Sequence, residues 1–198
     1  MGISTSTRRR LNFTLFLPVL AVGMVATSPA LAATAGTPDP SFGIGGTTTV
    51  AVGTTAVAAA VAVQPDGNIV TAGQTTINGQ NMILSTRMTP TGALDPSYGT
   101  GGIVTVAING SAGVDSGAGI ALQSDGKIVI AGSGRIPHYG PLGFAAVRLN
   151  SDGSLDQSFG QGGVATVAIG AEAIANAVVV QPDGKIALGG AALLSGHN

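Results

Sequence analysis

The chain has 198 residues, with 8 Lys+Arg against 9 Asp+Glu, 32 Gly, no Cys and no Trp. Only 9% of it is charged, against roughly 25% in an average soluble domain. No cysteine means no disulfide framework and no thiolate zinc site, and with so few aromatics the core has to be built from Val, Ile, Leu and Ala.

Residues 1–32 have the three parts of a secretory signal. Arg8, Arg9 and Arg10 supply the positive start, and the run from Leu11 to Ala26 is uncharged and mostly apolar. Ser28-Pro29-Ala30-Leu31-Ala32 ends in small-x-small residues, which places cleavage between Ala32 and Ala33. Pro18 and Gly23 interrupt the apolar run, and it is shorter than the roughly 20 residues of a spanning helix. No stable membrane insertion is therefore expected once the signal is removed. Thr7-Arg8-Arg9-Arg10-Leu11 partly resembles a twin-arginine signal, but Asn12 stands where an apolar residue is usual. The general secretory route fits better, and the destination reads as secreted or cell-envelope. Cleavage also removes three of the eight basic residues, leaving 5 Lys+Arg against 9 acids. No basic patch remains, so nucleic acid is a poor partner.

After a short linker, 33–38, the chain repeats itself. Asp39-Pro40-Ser41-Phe42-Gly43-Ile44-Gly45-Gly46 returns as Asp95-Pro96-Ser97-Tyr98-Gly99-Thr100-Gly101-Gly102, and again as Asp156-Gln157-Ser158-Phe159-Gly160-Gln161-Gly162-Gly163. A second signature follows each in turn: Gln64-Pro65-Asp66-Gly67, Gln123-Ser124-Asp125-Gly126 and Gln181-Pro182-Asp183-Gly184. The units run 39–94, 95–155 and 156–198, the last one incomplete.

Each unit reads as short strands. Thr47–Ala51 and Ile103–Ala107 are rich in β-branched residues. Ahead of the second signature, bulky residues (Val61 and Val63, Ile120 and Leu122, Val178 and Val180) alternate mostly with small ones. That is the strand period of two. With no charge on either face, this strand is expected to be covered on both sides. The Asp-Gly pairs Asp66-Gly67, Asp125-Gly126 and Asp183-Gly184 are turn chemistry in which both residues tolerate a left-handed backbone. They make the next strands, 68–73, 127–132 and 185–190, partners in tight hairpins. A long loop should precede the fourth strand, which appears twice, at Met82–Met88 and Phe144–Leu149, each with one arginine, Arg87 or Arg148. Four antiparallel strands per repeated unit make a β-propeller-like array of blades.

At these residues the chain resembles the bacterial delta-60 repeat family. Leu155 to Gly163, Gln181 to Ile186 and Phe144 to Leu155 carry the likeness, which extends over essentially all of 38–198. The resemblance implies a propeller-like assembly of uncharacterised function in exported proteins, with no agreed catalytic set. The third unit stops before an Arg-bearing fourth strand. The expectation is a fragment of a longer propeller, or a chain that closes its ring by oligomerising.

Candidate chemistry is sparse. The Gly-x-Gly-Gly segments lie between strands and lack the Gly-Lys-Ser/Thr of a phosphate loop, so Gly43, Gly99 and Gly160 read as turns. The neighbouring Phe42, Tyr98 and Phe159 read as plugs between blades. Asn150 to Asp156 is oxygen-rich but lacks the late Glu of an EF-hand, and His138 and His197 are too far apart in kind and place to form a zinc set. No metal or cofactor is expected, and no catalytic residue: Glu172 is the sole Glu and no His–Ser–carboxylate arrangement is visible. Asp39, Asp95 and Asp156 recur because they build the unit. Arg87 and Arg148, each the only charge of its strand, require partners; signature aspartates or backbone carbonyls are expected to hold them. The leading reading is a non-enzymatic exported scaffold that binds a protein or glycan surface. The rival is part of a secreted propeller hydrolase or lyase whose catalytic residues lie outside this chain. The loops 74–81 and 133–143 differ between units, and loops on a repeated frame carry specificity, so Arg135, His138 and Tyr139 are the candidate ligand contacts. The first test is of export: mass spectrometry of the exported product should place its N-terminus at Ala33, and a product retaining Arg8–Arg10 would contradict the signal reading.

Overall fold

The strand-forming stretches find their partners through recurring turn chemistry, as a computed structural model of the chain shows for residues 36–108, 115–136 and 140–194. In the first sheet, β1 (Thr55–Val63), β2 (Ile69–Ile77), β3 (Gln80–Met88) and β4 (Ile103–Val106) lie side by side in chain order. The second sheet repeats this with β5 (Ser116–Leu122), β6 (Ile128–Arg135), β7 (Leu142–Leu149) and β8 (Val164–Val167). A third pairs β9 (Glu172–Val180) with β10 (Ile186–Leu193). All strand pairs are antiparallel. The fold is thus all-β, an array of propeller-like blades whose described sheets do not close into a ring.

The sheets are out of step with the sequence repeat. Ile103–Val106 follows the second copy's opening signature, yet it pairs with β3 of the preceding sheet, Ser85 opposite Val104. Val164–Val167 does the same with β7. The equivalent stretch of the first copy, Thr47–Ala51, forms no strand among the described residues, whereas its counterparts each pair with the third strand of the sheet before them. A blade therefore runs from one unit's inner hairpin into the next unit's signature.

The expected long loop is also absent from the first copy. β2 and β3 run on to a two-residue turn at Asn78-Gly79, both with positive φ (53° and 76°). That is the backbone twist a tight hairpin favours, and Asn-Gly suits it. In the second copy the ladder continues to Arg135 opposite Leu142. At the Asp-Gly turns only the glycines are left-handed, with φ of 86°, 83° and 82° at Gly67, Gly126 and Gly184. Asp66 and Asp125 instead accept the backbone N–H two residues on, from Asn68 at 3.0 Å and Lys127 at 3.1 Å. Asp183 does the same for Lys185 at 3.2 Å.

One irregularity recurs in every inner hairpin. The register of β1 with β2 shifts between Ala58 and Ala60, that of β5 with β6 between Gly117 and Gly119, and that of β10 with β9 at Gly189/Gly190. Opposite each bulge sits a glycine: Gly73, Gly132 or Gly190. A Cβ there would overlap the carbonyl oxygen of Val57, Ser116 or Ile174 respectively. The glycine is what lets the bulged strand press in, and bulges increase local twist.

Sheets stack through apolar faces. Between the first and second sheets lie Val70, Ile83, Tyr98, Ile128, Ile130 and Val147, all fully buried. A smaller core of Val129, Ala131, Ala175 and Val178 joins the second sheet to the third. Coverage of the inner strand differs from expectation. β5, between two sheets, packs Ile120 and Leu122 on the larger core, whereas their counterparts Val61 and Val63 on β1 are each 65% exposed. Tyr98 is the wedge of the larger core, its hydroxyl hydrogen-bonded to Ser85 Oγ at 2.8 Å; Phe42 and Phe159 are half-buried. Chemical denaturation should show Tyr98→Ala costing about 3–5 kcal/mol as a large-to-small core change. Tyr98→Phe, which loses one buried hydrogen bond, should cost about 1 kcal/mol.

Candidate functional site

The recurring charges meet where one sheet hands over to the next. Arg87 ends β3, and a Thr89–Gly92 turn brings the chain back so that Asp95 N–H donates to the Arg87 carbonyl at 2.9 Å. In return Arg87 N–H donates to the Gly102 carbonyl at 2.9 Å. This double contact carries the guanidinium into the signature. Arg87 Nε donates to Asp95 Oδ2 at 2.8 Å, Nη2 donates to Ser97 Oγ at 2.9 Å, and the Tyr98 ring centroid lies 4.8 Å from Cζ. Nη1 reaches the next sheet, donating to the Ser151 carbonyl. Arg87 is thus held on four sides and is 7% exposed.

Arg148 repeats the arrangement at the end of β7. Its Nε donates to Asp156 Oδ2 at 2.7 Å, its Nη2 to Ser158 Oγ at 3.3 Å, and its Cζ sits 4.5 Å from the Phe159 centroid. Lys127 Nζ adds a second cation 3.7 Å from Asp156 Oδ2. Beside Arg148, the side chains of Phe144, Phe159, Val167, Ile186 and Leu188 line an apolar groove of about 340 Å³. The corresponding space beside Arg87 is filled by the second sheet.

Each signature shapes its own acceptor. Oδ1 of Asp39, Asp95 and Asp156 accepts both the N–H and the Oγ–H of the Ser two residues on, at 2.7–3.0 Å. These serine hydrogen bonds hold the Asp95 carboxyl below the usual range and the Asp156 carboxyl down at about 2; the neighbouring arginines act in the same direction, and burial opposes them. Asp39, with Ser41 alone, is lowered too. Burial pushes the Tyr98 phenol up to about 12, so it stays neutral beside Arg87.

The loop candidates are placed in part. Arg135 closes β6, and its Nη1 donates to the Gly140 carbonyl at 3.0 Å. His138 and Tyr139 lie outside the described residues, as do Ala32 and Ala33. In the oxygen-rich turn, Asp152 is engaged by Ser154 and Asp156 by Arg148 and Ser158. Among the described residues no three His, Asp or Glu gather, and no helix is long and apolar enough to cross a membrane. Asp115, not singled out in the sequence, is 1% exposed and accepts the Ile108 N–H at 2.7 Å. Burial raises its carboxyl to about 6 against that hydrogen bond. Its signal was a lone acid where the other units carry Ala56 and Ala173.

Two stretches, residues 64–98 and 123–159, match the family model described as "Domain of unknown function (DUF5122) beta-propeller". Both begin at the Gln of the hairpin turn and end on the signature aromatic, Tyr98 or Phe159. The matched unit thus straddles the sequence repeat, as the sheets do. This similarity is to a propeller-like repeat family, and it carries no delta-60 name. No curated protein matches the chain.

The staple has a pH signature. The folded-state pKa of Asp156 is depressed to about 2 from 3.8, so its stabilisation is complete above the unfolded value and lost as pH falls through the folded one. Melting temperature should therefore fall between about pH 4 and pH 2, and Asp156→Asn should flatten that dependence while lowering the melting temperature at pH 7. A pH profile unchanged by the substitution would show that Asp156 gains nothing on folding.

Proposed function

We propose that the protein is an exported, non-enzymatic propeller-type scaffold whose variable loops contact a protein or glycan surface. The observation that carries this reading is the commitment of the recurrent charges to the frame. Asp95 and Asp156 are spent on Arg87 and Arg148, and Asp66, Asp125 and Asp183 on the turns that follow them. A catalytic carboxylate needs freedom to exchange a proton near neutral pH, and Asp95, Asp156, Asp125 and Asp183, held below the usual range by hydrogen bonds from their neighbours, lack it. Export is supported by the signal-like residues 1–32.

Variation between units supports the loop as the contact surface. The first hairpin closes in two residues, while the ladder of the second ends at Arg135 opposite Leu142, with the sequence 136–141 between them. Specificity on a repeated frame resides where the copies differ. The measurement is retention of the purified protein on cell-wall material and a glycan array. Replacing Arg135, His138 and Tyr139 together with alanine should abolish retention while leaving the protein folded; undiminished retention would overturn the loop assignment.

A further inference from the structure

At the end of the joint away from Arg87, a single polar contact ties the first sheet to the second. Ile108 follows β4, the outer strand of the first sheet, and Asp115 immediately precedes β5, the inner strand of the second. Ile108 N–H donates to Asp115 Oδ2 at 2.7 Å, and the two residues are 2% and 1% exposed. The Ile108 side chain belongs to the larger core between the sheets. β6 makes room for the contact. A Cβ on Gly134 would stand 2.8 Å from Asp115 Oδ1 and 2.8 Å from Ile108 Cδ1.

The other units keep this position neutral. Asp115 and Gly134 correspond to Ala56 paired with Thr75 in the first hairpin, and to Ala173 paired with Ala192 in the third. In the first hairpin the polar group comes from the opposite strand. Thr75 Oγ1 reaches the carbonyl of Val52, the counterpart of Ile108, at 2.8 Å, and that of Thr55 at 3.0 Å. The second unit reverses both roles: Gly134 gives up its side chain, and Asp115 supplies an acceptor where Thr75 supplies a donor. A hydroxyl keeps one charge state across the ordinary pH range, whereas a carboxyl does not.

Among the described residues no cation offsets this carboxyl. The strands packed on β5 carry three charged groups: Arg87 on β3, Arg135 on β6 and Glu172 on β9. Arg87 is committed to Asp95 at the other end of the joint, Arg135 Nη1 donates to the Gly140 carbonyl, and Glu172 is exposed. None of them forms an ion pair with Asp115. The sequence 109–114 contains no titratable side chain, and His138 and Tyr139 lie outside the described residues. A carboxyl withdrawn from water and opposed by no cation favours its neutral form. We propose that Asp115 is a proton-responsive tie between the first and second sheets. The neutral carboxyl seats against Ile108 and Gly134, and the ionised one draws the joint open towards water.

Burial holds the Asp115 carboxyl up at about 6, against an ordinary 3.8. With the folded value raised, the joint gains stability as pH falls through the folded value, and the gain is complete below the unfolded one. In the purified protein the Asp115 carboxyl carbon, followed by NMR, should titrate with a midpoint near 6. Between about pH 8 and pH 5, exchange protection of the Ile108 amide, corrected for intrinsic rates, should rise about tenfold or more, and the melting temperature should rise with it. Asp115→Asn keeps an acceptor for Ile108 N–H and removes the titration, so both dependences should be lost. His138 and His197 titrate in the same range but are present in both proteins, so the readout is the difference between them. A midpoint in the ordinary carboxylate range, or equal pH dependence in the two proteins, would overturn the tie. Should the variant not fold, the carboxyl titration and Ile108 protection of the unaltered protein decide alone. None of these outcomes bears on the loop-contact reading, whose readout is retention on cell-wall material and glycans.

Discussion

A guanidinium withdrawn from water needs acceptors in its own plane and a surface to lie on, and that requirement organises the junctions of this protein. The Asp-x-Ser-aromatic segment supplies all of it within four residues: a carboxylate oxygen, a hydroxyl and a ring. Asp39 and Ser41 adopt the same geometry although no arginine among the described residues meets them, so the segment's own serine hydrogen bonds suffice to shape the acceptor. The same segment then delivers the outer strand, because the backbone exchange between Arg87, Asp95 and Gly102 fixes where β4 begins against β3. Charge pair, aromatic wedge and strand register are one device.

The sequence disclosed the parts of this device and concealed its frame. Two signatures in fixed order made the repeat visible, and alternating Val and Ala made the strands visible. The lone arginines on neutral strands announced a need for acceptors, and each had its signature acid eight residues on, Asp95 after Arg87 and Asp156 after Arg148. What could not be read was the phase. Thr47–Ala51 and Ile103–Val106 look alike as sequence, and only pairing separates a strand from an extended segment. A one-dimensional repeat begins wherever its most recognisable motif begins; a sheet begins where hydrogen bonds do. The hairpin length was hidden for a related reason. Gln74–Asn81 is polar enough to resemble a loop, but Thr75 and Thr76 are strand formers whose hydroxyls are satisfied by Val52, Thr55 and Asn81. Asn78-Gly79 is the hairpin turn within that stretch.

Recurrence itself separates frame from function. A residue present in every unit is under the same local demand each time, and the structure identifies that demand as a turn, a joint or a bulge. Gly73, Gly132 and Gly190 recur because a carbonyl presses on each. By the same logic the departures from the repeat matter most. Asp115 stands where other units carry alanine and is buried against Ile108, which gives the second unit alone an acid that folding makes easier to protonate. The 136–141 connection is equally particular to that unit. Both departures lie at the same end of the second sheet, beside the Arg135 end of β6.

The two joints are alike in design and unlike in completeness, and the difference follows from what each arginine reaches. Arg87 spans two sheets, because its third contact is a carbonyl in the next sheet's turn. Removing the second sheet would leave that donor without its acceptor and would uncover the Tyr98 ring, whose hydroxyl bonds Ser85 within the first sheet. Arg148 keeps its contacts with its own signature, and its side chain remains 19% exposed. In stacked repeats, stability is close to a sum of unit terms and neighbour terms. Here the neighbour term is concentrated at the first joint, where the wedge, the larger core and the cross-sheet hydrogen bond coincide. The β9–β10 pair is held by the smaller core and by the Ala175 N–H donating to Ser133 Oγ, and it leaves Val179 and Leu193 in solvent. Local opening should therefore begin at that pair, with the first two sheets behaving as one cooperative unit.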